Sequence, residues 1–287
     1  MSTPSTADTK RHYFVPAASH YSTFLSWGIF LLAAGFVFRL NGVPPGMWSM
    51  LLGAALILYV VVGWFGEVIG ESLSGIYTKW EDRSYRIGML WFIFSEVMFF
   101  ACFFGVLFYI RSITLPELGG YEAAYTPWVG FTGAWPTSGP VGDKFTAMEP
   151  WGLPLVNTFL LVTSSITLTF GHWALIKNNR KQLNLWLALT VALGATFMAL
   201  QATEYIHAYH EMGLTLGAGV YGATFFILTG FHGLHVTLGS TMLLVMLGRG
   251  MKGHFSEHNH FAFEAVAWYW HFVDVVWIVL FVFVYIL

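Results

Sequence analysis

The segment WFIFSEVMFFACFF, from Trp91 to Phe104, places one carboxylate, Glu96, among apolar side chains. The apolar run around it extends over residues 87–110, which lets a helix cross the ~30 Å hydrocarbon core of a membrane at about 1.5 Å per residue. Glu96 is then expected near the middle of the membrane, where an acidic side chain costs roughly 2.5–3.5 kcal/mol. This cost predicts a carboxyl that is protonated, or one that faces protein rather than lipid.

The composition indicates an integral membrane protein. Of the 287 residues, 56% are hydrophobic and only 10% are charged, whereas a soluble domain carries roughly 25% charged residues. The formal net charge of -2 suggests no nucleic-acid partner. The single cysteine, Cys102, excludes an intrachain disulfide and a metal cluster built from the thiolates of this chain alone.

Hydropathy divides the sequence into seven apolar segments, each about as long as a spanning helix requires. They cover residues 24–40, 47–66, 87–110, 151–176, 183–206, 217–248 and 264–287. Their continuous apolar character argues against the alternating pattern of a membrane β-barrel. The sequence therefore predicts an all-α membrane protein with seven transmembrane helices.

The same pattern predicts how the chain is organised. Residues 1–23 form a polar segment without a visible signal peptide, residues 24–66 form helices one and two, residues 67–86 form a charged connection, and residues 87–287 form a five-helix bundle with an outer loop at 111–150. The charged connection is expected to separate the first two helices from the other five. A cleft between these two groups of helices is the predicted consequence.

The distribution of basic residues predicts the orientation in the membrane. Of the 13 Lys and Arg residues, only Arg39, Arg111 and Lys144 fall on the side opposite the N-terminus. Because cytoplasmic connections carry an excess of basic residues, the N-terminus is expected inside and the C-terminus outside. We expect a bacterial plasma membrane, and give the mitochondrial inner membrane less weight because no Arg-rich presequence is visible.

Polar side chains inside the apolar segments occur in pairs three residues apart, a spacing that places each pair on one helix face. The pairs are Glu204 with His207, His232 with His235, and His271 with Asp274. Such residues could bind a metal or haem, or could hydrogen-bond between helices as neutral groups. Because each pair lacks a third strong ligand, we favour an interhelical polar network and expect no metal.

Glu96 has two interpretations of the same kind. A proton carrier needs several titratable groups within reach, and its own helix offers only Ser95 beside it. The alternative is a neutral, hydrogen-bonded contact between helices. The sequence favours this second, structural role.

A lipid site is the remaining candidate, at the inner membrane boundary. Trp64 and Glu71 follow the second helix, and Arg249 and Lys252 end the sixth. Ordinary interfacial anchoring explains these residues, but the basic pair could also bind a lipid phosphate and Glu71 an ammonium or glycerol headgroup. The chain has no Walker loop, GxSxG, HExxH or CxxCH motif, so no reaction centre is visible in it.

Taken together, several motifs resemble subunit III of the cytochrome c oxidases, in the haem-copper oxidase superfamily. The resemblance rests on YRIGMLWFIFSEVMFF (85–100), LPLVNTFLLVTSS (153–165), Glu204-Tyr205, GVYGATFFILTGFHGLHVTLG (219–239) and HFAFEAVAWYWHFVDVVWIVLF (260–281). The motifs follow one another in the family's order and cover nearly the whole chain.

The resemblance implies an accessory subunit without a redox cofactor, bound directly to the catalytic subunit I of a proton-pumping oxidase that also contains subunit II. Haem and copper are then expected in those partners. The family's cleft holds structural phospholipids, and the subunit is thought to support stability and proton uptake. Glu96 matches the family's carbodiimide-reactive glutamate, and Glu71, Arg249 and Lys252 match positions associated with lipid headgroups.

Some positions depart from the family pattern. Gly70 stands where an Arg often precedes the glutamate, and residues 75–78 replace a histidine-rich stretch, which puts the lipid assignment in doubt. Seven segments rather than five favour cytochrome c oxidase over a quinol oxidase. A proton-coupled transporter is the alternative of a different class, although the chain shows no internal repeat.

Overall fold

The computed structural model describes residues 18–120, 128, 130–142 and 144–287, and in these residues it contains helices and no strand. Within this part of the chain, seven helices are long and apolar enough to cross a membrane, as the sequence predicted. They are α1 (Tyr21–Leu40), α2 (Gly46–Ser74), α3 (Lys79–Tyr109), α4 (Leu153–Ile176), α5 (Arg180–Glu211), α6 (Gly219–Met251) and α7 (Phe261–Leu280). Lys10 and Arg11, used for the predicted orientation, lie outside the described residues.

The connection predicted at residues 67–86 is mostly helical. Helix α2 continues to Ser74, where Gly75 takes a left-handed conformation with φ 74° and ends it. Helix α3 begins at Lys79, and Glu81 and Asp82 in its first turn favour a helix N-terminus. Hydropathy marks where a chain leaves the hydrocarbon rather than where its helix ends. The helices predicted from hydropathy were therefore too short.

The start of the predicted loop at 111–150 is also helical. A π-helical turn, Ile110–Thr114, and a further turn, Leu115–Leu118, extend α3. Leu115 is almost fully buried, which ties this extension to the core. A second π-helical segment, Phe281–Ile286, extends α7 in the same way.

The chain forms two compact units, residues 1–85 and 86–287. In the first unit, α1 and α2 pack so closely that only glycine fits at several contacts. A Cβ on Gly53 would lie 2.5 Å from the backbone nitrogen of Leu32, and one on Gly35 would lie 2.6 Å from that of Met50. Close backbone approach of this kind is the usual way in which membrane helices associate.

The second unit is built around α7, the most buried of the seven helices. Its Trp270 and Trp277 are fully buried. The indole of Trp270 donates to Ser164 Oγ at 2.9 Å, and that of Trp277 donates to Thr158 Oγ1 at 3.0 Å, both on α4. The core is therefore aromatic, and these two buried indole N–H groups are paired.

The glycine contact generates a test of the α1–α2 packing. Gly53→Ala should destabilise the assembled protein by about 1–3 kcal/mol, because backbone atoms cannot move aside as a side chain can. Gly66→Ala, on the same helix with no atom within 4 Å of its Cβ, is the matched control and should be neutral. Thermal unfolding of both variants measures the difference; equal stabilities would contradict the packing.

Candidate functional site

Glu96 on α3 has a partner on α6. Its Oε2 lies 2.7 Å from Nε2 of His235. The side chain of Glu96 is 21% exposed and that of His235 is 9% exposed. The carboxyl therefore faces protein, and the bond joins two helices.

The other ring nitrogen of His235 fixes where its proton lies. Nδ1 is 2.6 Å from the carbonyl oxygen of Phe231, one turn earlier on α6. A carbonyl only accepts, so Nδ1 carries a proton and donates it. The bond between Nε2 and Glu96 then holds one further proton, either on the carboxyl or on an imidazolium. In both cases the pair has no net charge, which is the form least costly inside a membrane.

Aromatic rings surround this pair. Phe100 meets the imidazole of His235 edge-on at 4.9 Å between ring centroids, Phe99 lies at 5.9 Å, and Tyr269 stacks at 6.3 Å. Ser95, the neighbour noted in the sequence, instead donates to the carbonyl of Phe92. Glu96 is thus a hydrogen-bonded contact between helices, and within the described residues its side chain bonds to one titratable group, His235.

Glu204 is paired through a different element. Its Oε1 accepts a hydrogen bond of 2.7 Å from the hydroxyl of Tyr285, a residue in the π-helical segment that follows α7. Beside it, Asn157 Nδ2 donates to Gln201 Oε1 at 3.3 Å. All four side chains are buried. This cluster connects α4, α5 and the C-terminal segment in the interior of the second unit.

His207, predicted to lie on the same helix face as Glu204 and to join the interhelical network, does not share the buried surroundings of Glu204. His207 is exposed and bonds to Glu211 at 2.9 Å, one turn further along α5. Side chains three residues apart are neighbours on a helix but differ by about 60° in direction, and here the edge of the bundle falls between them.

The remaining members of the predicted network do not form one either. Both ring nitrogens of His232 lack a hydrogen-bond partner, and the ring packs against Phe197 and Trp277. Asp274 Oδ1 also lacks a partner, and no bond joins Asp274 to His271 in the described residues. Among the six predicted residues, Glu204 and His235 make side-chain hydrogen bonds to other helical elements, in separate pairs, and Asp274 interacts with Ser165 of α4.

Two of the predicted lipid-binding residues lie in the first unit. Trp64 stacks on Tyr21 with 6.0 Å between ring centroids. Glu71 accepts a hydrogen bond of 2.5 Å from the Tyr77 hydroxyl. Burial, together with this bond, raises the pKa of the Tyr77 phenol above its ordinary value. The carboxylate of Glu71 is thereby held in place at the end of α2.

The other two lie in the second unit, at the end of α6. Arg249 is only 8% exposed, and its guanidinium covers the ring of Phe255 at 4.8 Å. Its Nε makes no hydrogen bond, and no carboxylate of the described residues pairs with it. Lys252 is exposed at the helix end. Arg249 is therefore a nearly buried cation without an anion from this part of the chain.

A further cluster was missed from the sequence. His172 near the end of α4, His260 at the start of α7 and Glu264 in its first turn present side-chain ligand atoms within 4.8 Å of one another. The spacing of His260 and Glu264, four residues apart at a helix start, was a visible signal. His172 lies 88 positions earlier than His260, and no local pattern indicates that it joins them.

Comparison with known proteins places these features in a family. Residues 11–287 match the family model for cytochrome c oxidase subunit III. The cytochrome c oxidase subunit 3 of Latimeria chalumnae is 43% identical over 255 residues, covering 88% of this chain and 87% of that protein. That of Danio rerio is 42% identical over 240 residues, covering 83% of this chain and 84% of that protein. That of Hippopotamus amphibius is 44% identical over 223 residues, covering 77% of this chain and 77% of that protein.

The Glu96–His235 pair generates a test. His235→Phe keeps an aromatic ring but leaves the partly buried carboxyl without its partner, which should cost about 1–3 kcal/mol of stability. His207→Phe removes only an exposed ion pair, worth about 0–1 kcal/mol. Thermal unfolding of the assembled protein compares them. Equal losses in the two variants would show that the Glu96–His235 bond contributes nothing.

Proposed function

The chain belongs to the cytochrome c oxidase subunit III family, and from this premise we propose that it is the non-redox subunit that binds structural lipids and supports the stability and proton uptake of the catalytic subunit. As a cytochrome c oxidase subunit III it is an accessory, multi-pass membrane subunit of a terminal oxidase and works in a complex with other oxidase subunits. The family match over almost the whole chain is the observation that carries the proposal.

The arrangement of the polar side chains supports a role without redox chemistry. His235 uses both ring nitrogens in hydrogen bonds within the chain, and His232 is enclosed by aromatic rings. The one cysteine, Cys102, is exposed on an apolar helix. We therefore place the haem and copper of the complex in its other subunits, with subunit I in direct contact and subunit II in the same assembly.

The electrostatics of Arg249 support the lipid role. A nearly buried guanidinium without a carboxylate is costly, and a phosphate offers the bidentate acceptor that a guanidinium binds best. Exposed Lys252 lies three residues further and adds positive charge at the same helix end. A phospholipid headgroup at the membrane boundary supplies such a phosphate. Trp64 and Glu71, in the other unit, stay predicted lipid contacts.

We infer the membrane and the electron donor from the relatives. The relatives named above are vertebrate proteins, which favours the mitochondrial inner membrane over the bacterial plasma membrane preferred from the sequence. Their names specify cytochrome c, which favours that donor over a quinol. The orientation with the N-terminus inside stays a prediction from the basic residues.

Arg249→Gln tests the lipid proposal. In the purified oxidase complex this variant should lose about one bound phospholipid, because the neutral amide no longer attracts a phosphate. Lys177→Gln, which removes an exposed cation at the end of α4, is the matched control and should keep its lipid. The measurement is lipid phosphorus per haem.

A conservative variant separates lipid binding from folding. Arg249→Lys keeps the charge and should retain more lipid phosphorus than Arg249→Gln at equal assembly. If Arg249→Gln, Lys177→Gln and the wild type carry the same lipid phosphorus, Arg249 binds no headgroup and the lipid part of the proposal fails.

A further inference from the structure

A polar cluster with unpaired atoms lies in the interior of the second unit. It consists of Asn157 on α4, Gln201 and Glu204 on α5, and Tyr285 in the segment that follows α7. The exposed fractions are 0% for Asn157, 5% for Gln201 and 1% for Glu204. These side chains are therefore out of reach of bulk water and of lipid headgroups, and their polar atoms need partners inside the protein.

Two hydrogen bonds order the cluster. The hydroxyl of Tyr285 donates to Oε1 of Glu204 at 2.7 Å, and Nδ2 of Asn157 donates to Oε1 of Gln201 at 3.3 Å. These bonds use one oxygen of the carboxyl group and one polar atom of each amide group. The other polar atom of each side chain is left over.

The three atoms left over make no hydrogen bond within the described residues. They are Oδ1 of Asn157, Nε2 of Gln201 and Oε2 of Glu204. Gln201 interacts with the carboxyl of Glu204, but Nε2 does not reach an oxygen at the length and angle of a hydrogen bond. A polar contact of this kind leaves place for a bridging water molecule.

The chemistry of the three atoms identifies the ligand. Nε2 of Gln201 donates and Oδ1 of Asn157 accepts, whereas Oε2 of Glu204 accepts as a carboxylate or donates as a carboxylic acid. A metal cation would face the positive end of the amide N–H. A water molecule both donates and accepts, and a buried water makes about three hydrogen bonds. We propose that one water molecule binds these three atoms and thereby joins α4 to α5.

The proposed water makes Glu204 a junction of three elements. One oxygen of its carboxyl group meets Tyr285 directly, and the other meets Asn157 of α4 through the water. The ligand is neutral, so it adds no charge to the interior of a membrane protein. The site lies inside this chain and requires no residue of a partner subunit.

His232 offers a comparison inside the same bundle. Both of its ring nitrogens also lack a hydrogen-bond partner within the described residues. Its ring centroid lies 5.9 Å from that of Phe197 and 5.1 Å from that of Trp277. Apolar surroundings stay dry, and an N–H that points at an aromatic ring forms a weak hydrogen bond with it. We therefore expect a water at Glu204 and none between His232 and these rings.

Cryo-electron microscopy of the wild-type oxidase complex, at a resolution that shows ordered water, tests the proposal. The map should contain one peak at about 2.7–3.2 Å from Asn157 Oδ1, Gln201 Nε2 and Glu204 Oε2. A map that shows other buried waters but no peak here would overturn the proposal. A direct bond between Gln201 and Glu204 in place of the peak, or a peak that contacts the oxygens and avoids Nε2, would overturn it too.

Variants test the role of the amide separately. Gln201→Leu removes the donor with little change in size and should lose the peak. Thr203→Val, on the same helix, removes an exposed hydroxyl that bonds only to the carbonyl of Leu200, and is the matched control that should keep it. An unchanged peak in Gln201→Leu, or its loss in both variants, would contradict a water held by Gln201. Should Gln201→Leu fail to assemble, the wild-type map still decides.

Discussion

The free-energy cost of placing a charge in a membrane determines how the buried acidic side chains of this protein are paired. Glu96 is the clearest case, since its carboxyl shares one proton with His235 and the pair carries no net charge. Glu204 meets the same constraint with a neutral partner, the hydroxyl of Tyr285. Each of these bonds joins two elements, so the groups that are costly to bury also fix how the helices of the second unit meet. The aromatic core around α7 packs on this arrangement.

The same constraint underlies the proposal that this subunit carries no redox cofactor. Protons cross a membrane protein along connected titratable groups, whereas Glu96 and His235 bond to each other and to a backbone carbonyl. Redox cofactors need free ligands, and the histidines of α6 are either hydrogen-bonded or enclosed by rings. At the end of α6, the nearly buried guanidinium of Arg249 and the exposed Lys252 place two cations close together. This distribution supports the proposed structural role of the subunit.

Hydropathy alone was sufficient to predict the seven helices, because the membrane imposes a length and a composition on each. The helix ends were missed at residues 67–74 and 79–86, because a helix that leaves the hydrocarbon keeps its backbone hydrogen bonds while its side chains become polar. The partner of Glu96 was missed because His235 lies 139 positions away. The spacing along α5 did not show that His207 is exposed, because it does not reveal where the edge of the bundle falls. The motifs nevertheless indicated the family correctly, because they cover nearly the whole chain.

The most direct measurement is the metal content of this subunit within its complex. The chain, carrying an affinity tag, is purified from respiring membranes in mild detergent, and iron and copper are determined before and after it is separated from its partners. We predict that haem iron and copper accompany the intact complex and that neither stays with this chain after separation. Purification of the chain alone, without oxidase subunits, or stoichiometric iron or copper in the separated chain, would contradict a non-redox accessory role.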